Sequence, residues 1–84
     1  MPVIATFYNI FIFMRLRQKE HQPPHIHAIY NEYQAVFDIR TMEITHGNLP
    51  RNAIRLVKEF LRQNQQKLLE MWDSQKFEKL SLKE

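Results

Sequence analysis

The stretch "HIHAIYNEYQAVFDI", residues 25–39, can form a two-stranded antiparallel ladder in one sensible register. If Tyr30 pairs with Tyr33 across Asn31 and Glu32, Ala28 falls opposite Ala35 and Ile26 opposite Phe37, all on one surface. The other surface then pairs Ile29 with Gln34, His27 with Val36, and His25 with Asp38. Side chains alternate with period two along a strand, so a slip of one residue would turn the whole apolar set toward water. A two-residue link led by asparagine suits a tight hairpin.

The flanking segments extend this hairpin. Residues 3–17 read as one extended run, bent at Asn9, a residue type that tolerates unusual backbone angles. Ile10, Ile12, Met14 and Leu16 occupy one face and belong to a core; Phe11, Phe13, Arg15 and Arg17 occupy the other. A further short strand over residues 43–46 follows a turn at Thr41–Met42, with Arg40 pairing with Glu43 and Ile39 with Ile44. That register puts His46 opposite Phe37 and assigns it to strand-end packing. Gly47 then breaks the strand, and Pro50 suits the first turn of a helix, where a missing amide hydrogen costs nothing. Ala53, Val57, Phe60 and Leu61 form one apolar face, Asn64 reads as a break, and Leu68, Leu69 and Trp72 continue the stripe on a second helix. An apolar helix face must cover an apolar sheet face. The expected fold class is therefore α+β: a small antiparallel sheet of about four strands packed against a C-terminal two-helix hairpin.

With 84 residues the chain is expected to be a single domain, 1–84. Strands run to 46, helices span 50–73, and a lysine-rich tail over 74–84 is expected to be loosely attached. There is no cysteine, hence no disulfide and no thiolate chemistry. The apolar opening lacks a preceding basic region and a small-residue cleavage site, and is too short to span a bilayer. A cytoplasmic location is the expectation. The net charge of +3 is compatible with a polyanionic partner but far below that of a dedicated nucleic-acid arm. A single glycine excludes a glycine-rich phosphate loop. No motif calls for a cofactor.

Chemistry concentrates in "EHQPPHIHAIY", residues 20–30, which holds three of the four histidines around a proline pair. Two prolines fix two backbone dihedrals, giving a stiff entry into the strand. Strand parity then sets His25 and His27 on one face, about 6–7 Å apart along the chain. Asp38 stands across from His25, where a carboxylate would hold an imidazole tautomer and raise its pKa. Arg15, Arg17 and Arg40 share that surface by parity, and His21 precedes it. His25, His27, Asp38 and His21 are thus the candidate catalytic residues, and Arg15, Arg17, Arg40, Phe11 and Phe13 the candidate binding residues.

Glu20, His21, Pro23, Pro24, His25 and His27, followed by Leu49, Pro50 and Trp72, give the chain its resemblance to the bacterial domain-of-unknown-function family DUF4160. Asn9, Asn31 and Met42 stand where the family usually has glycine. The resemblance implies a small protein often encoded beside a second small domain, in an arrangement like a two-gene toxin–antitoxin module with this family in the toxin position. The partner it implies is a cognate antitoxin-like small protein; RNA, on the reading of the residues themselves, is a further expected target.

Three chemistries compete for the histidine face. In a metal-independent ribonuclease, one imidazole would take a 2′-hydroxyl proton, a second would protonate the leaving oxygen, and arginines would stabilise the phosphorane. In a metal site, His25 and His27 would join Asp38 or His21 around a divalent ion. In a binding surface, Phe11 and Phe13 would anchor a protein or stack on RNA, with no reaction. Against all three stands a structural role, with Phe11 and Phe13 covered by Phe77, Leu80 and Leu82 of the tail and Trp72 in the core. Exposed strand edges make homo-oligomers a further expectation.

Overall fold

The computed structural model describes residues 3–15 and 23–83. Its elements are β1 (Val3–Phe7), β2 (Ile10–Phe13), β3 (His25–Tyr30), β4 (Tyr33–Asp38), β5 (Ile44–Gly47) and α1 (Arg51–Ser74). The strands form one antiparallel sheet in sequence order, and α1 lies on one of its faces. The class is α+β as expected, but there are five strands rather than about four, and one helix rather than a hairpin of two.

The fifth strand comes from the opening run, which is not continuous. Tyr8 and Asn9, at φ 48° and 65°, make a two-residue turn that folds β1 back on β2, pairing Phe7 with Ile10. Two successive positive φ values match the twist of the flanking strands. Farther along β1 the register shifts between Val3 and Ala5, and Ile4 and Ala5 are both buried there.

The β3–β4 ladder has the register that its apolar pattern dictates, from His25 opposite Asp38 to Tyr30 opposite Tyr33. Its turn holds Asn31 at φ 53°. The next connection departs from expectation. Phe37, not Ile39, pairs with Ile44, and a bulge sets Val36, not Phe37, opposite His46. Asp38 causes the difference. Its Oδ1 accepts from the backbone amides of Arg40 (2.7 Å) and Thr41 (3.0 Å), so the chain leaves the ladder two residues early. Met42 closes the loop at φ 64°. Asn9, Asn31 and Met42 therefore all hold the left-handed backbone that glycine favours.

Helix α1 runs unbroken through 24 residues. Asn64 does not end it, because its side-chain amide donates to the Phe60 carbonyl one turn back (3.0 Å) and to the Ser81 carbonyl (3.1 Å). Pro50 serves as the N-cap, one residue ahead of its expected place, and Gln75 closes the C-terminus in the left-handed region. The stripe Ala53, Val57, Phe60, Leu61, Leu68, Met71, Trp72 is buried against Ile4, Ile10, Ile12, Met14, Ile26, Ala28, Ala35 and Phe37. Full burial of each large apolar side chain contributes about 1.5–3 kcal/mol.

The segment after Ser74, read from its lysines as a loose tail, lies back along α1. Lys67 and Glu78 pair at 3.1 Å, the Leu80 amide donates to the Ile4 carbonyl of β1, and Gln63 bonds both backbone groups of Lys83. Phe77, Leu80 and Leu82 pack on the main core, on the helix side of the sheet. They do not form a separate cover for Phe11 and Phe13. Among the described residues, no helix is long and apolar enough to cross a membrane.

Candidate functional site

Among the described residues, no helix lies on the sheet's second face. Register places Phe13, His27, Val36 and His46 in one row across β2 to β5, and Thr6, Phe11, Ile29 and Gln34 in the next across β1 to β4. Phe11 is 44% exposed, while Phe13, Ile29 and Val36 are half-buried. None of these four belongs to the main core or packs against it. The face is thus an apolar strip with His27 between Phe13 and Val36, His46 at one edge, and Arg15 exposed just beyond Phe13.

At one end of the strip stand the two imidazoles. Their ring centroids are 5.2 Å apart in an edge-on arrangement, on the same face, as parity requires. Pro24 is buried and its carbonyl accepts the Ile39 amide at 2.9 Å, which clamps the stiff entry to the end of β4. The His25 ring uses Nδ1 to donate to the Pro23 carbonyl at 2.9 Å. A carbonyl can only accept, so Nδ1 carries a proton.

Asp38 is tied into the loop after β4 through one carboxylate oxygen. It faces His25 across the ladder, yet its carboxylate is engaged by the turn amides of Arg40 and Thr41. The ring that meets His25 instead is Trp72, from the last turn of α1, at 4.9 Å between centroids and 56° between planes. Assigned to the core from its place in the apolar stripe, Trp72 is indeed 5% exposed, but it also braces the site. Sequence gave no sign of this, because the contact joins residues 47 positions apart, one on β3 and one on α1.

His27 is held in a different state. Burial, Arg15 and His25, in that order of influence, push its pKa from 6.5 down to about 4. At neutral pH its ring carries no charge, and Nε2 is buried with no hydrogen-bond partner among the described residues. Such a ring is poorly suited to donate a proton to a substrate. No carboxylate pairs with Arg15 among the described residues. Arg40 is exposed in the loop after β4 and gives its backbone amide to Asp38. Arg17 and His21 lie outside the described residues. Among those described, no three His, Asp or Glu side chains gather closely enough to hold a metal ion.

His46, by contrast, is brought onto the open face by the β5 bulge, where Thr45 is the extra residue. The Thr45 hydroxyl lies 3.1 Å from the His46 Nδ1. The sequence signal for this was Gly47, at φ 75°, where an added Cβ would collide with the Gln34 carbonyl. Only glycine lets β5 approach β4 so closely there.

A small antiparallel sheet, one face closed by a helix and the other open and edged by a proline-stiffened histidine strand, defines the class. The model of the family described as domain of unknown function (DUF4160) matches residues 9–73, and the chain belongs to that family. No curated protein and no solved structure matches it.

Proposed function

We propose that this chain is the toxin-type partner of a two-protein module, acting in the cytoplasm and holding a cognate small protein on the open face of its sheet, with RNA as the eventual target. The observation that carries the reading is the uncovered strip itself. Phe11, Phe13, Ile29 and Val36 form a contiguous apolar surface that the chain's own helix and tail leave free. Contiguous exposed apolar surface on a small protein marks a place where something docks, and aromatic anchors contribute most to such contacts. Arg15 at its margin, unpaired with any carboxylate among the described residues, adds a charge that an acidic partner would meet. In the alternative, a two-histidine phosphodiesterase, the neutral His27 would have to serve as the base, and its pKa of about 4 makes that base weak.

Co-expression with the small protein encoded beside it tests the reading. The expected result is a stable complex and relief of growth arrest caused by this chain alone. A chain that is harmless alone, with a neighbour that does not bind, would end it.

A further inference from the structure

On the opposite side of the molecule, an open groove of about 570 Å³ lies between the β1–β2 turn, the first turns of α1 and the 82–83 segment. Its size is in the range of about 300–1,000 Å³ usual for small-ligand sites. Three features of its lining bear on what it could hold. Tyr8 holds φ 48°, a conformation costly for a bulky side chain, yet its ring is 55% exposed and gains little packing in return. Arg55 and Lys83 both line the groove, and neither forms an ion pair among the described residues. Glu59, the one acid in the lining, is already engaged by Arg62 at 2.7 Å and by Gln63 at 3.3 Å. The groove therefore offers an exposed aromatic ring, two cationic side chains, and a carboxylate held by Arg62 and Gln63 whose charge Arg55 also feels.

A flat ring beside paired cations suits a ligand that is itself a flat ring joined to an anion. We propose that this groove binds a nucleotide unit, with its base against Tyr8 and its phosphate between Arg55 and Lys83. The Asn52 amide, also in the lining, supplies hydrogen bonds to the base or sugar. Base–aromatic stacking and phosphate–cation contacts are the two general terms of single-strand recognition. The same chemistry could be met in a free nucleotide or in one unit of a single-stranded RNA. The inference does not depend on the sheet-face reading, because the groove shares no residue with the open strip.

The test is a titration followed by amide NMR, using AMP, adenosine, inorganic phosphate and a short single-stranded adenylate oligomer. AMP should shift Tyr8, Asn52 and Arg55, with adenosine and phosphate each much weaker. A tighter oligomer identifies a strand as the ligand's source, and equal affinity a free nucleotide. The decisive variant is Tyr8→Asn, because asparagine accepts the left-handed turn more readily and keeps the fold. It should melt no lower than the parent while weakening AMP roughly 5- to 100-fold. Arg55→Gln should weaken AMP but not adenosine, and Phe11→Glu should leave AMP binding unchanged even if partner binding is lost. No response at these residues at millimolar AMP and oligomer would overturn the proposal. Phosphate binding as tightly as AMP, or Tyr8→Asn binding like the parent, would do the same.

Discussion

The two faces of the sheet are made by the same strands, yet different things hold them in place. On the covered face Ile12, Ile26 and Phe37 are fully buried, and what fixes each residue is the volume around it. On the open face, position is fixed by backbone devices: a proline clamp at β3, an aspartate-held loop after β4, and a glycine-dependent bulge in β5. The lesson is that packing decides which face a residue joins, while local hydrogen bonds decide what a polar residue there is free to do. Asp38 sits in the expected register, opposite His25, and one of its oxygens is held by two amides.

Substitutions can break or sharpen this contrast. The largest effect should come from the covered face, where Phe37→Ala leaves a cavity and costs about 3–5 kcal/mol. Phe11→Ala, the same change on the open face, should stay within roughly 1 kcal/mol in urea melts. Equal losses would mean that the strip is not open. Next comes Gly47→Ala, whose added methyl group meets the β4 backbone at a positive φ. It should cost about 2–4 kcal/mol and shift the β5 resonances, His46 above all.

His27 supplies a pH test. Its folded pKa of about 4 lies below the ordinary 6.5, so between these values the unfolded chain binds more protons than the folded one. The stability it contributes is complete above about pH 6.5 and is lost as pH falls toward 4. The ring is only partly buried, so solvent screening reduces the effect to roughly 1–2 kcal/mol. His27→Gln should flatten this part of the stability–pH curve, and an unchanged slope would contradict the assigned burial. The smallest effect is a gain. Met42→Gly relieves a left-handed methionine and should stabilise the chain by about 1 kcal/mol.

Much of the frame was legible in the sequence. The β3–β4 register followed from alternation alone, as did the burial of Ile10, Ile12 and Met14. The failures share a cause, which is that side-chain hydrogen bonds to the backbone leave no periodic trace. Asn64 reads as a helix break until its amide is found on the Phe60 carbonyl, and Asp38 reads as a free carboxylate until its loop is built. The turn at Tyr8–Asn9 was hidden because tyrosine is an uncommon first residue for such a turn. In the candidate site, the pairing of the imidazoles could be derived from parity, but the contact between His25 and Trp72 could not.

The account stands on the open strip being a surface for docking, with the histidines as its stiff margin. Calorimetric titration of the neighbouring gene's product into the parent, Phe11→Glu and His25→Ala chains tests this most directly. The account predicts that His25→Ala binds nearly as the parent does, whereas Phe11→Glu loses affinity by about 30-fold or more. Undiminished binding by Phe11→Glu, with binding lost in a folded His25→Ala chain, would contradict it.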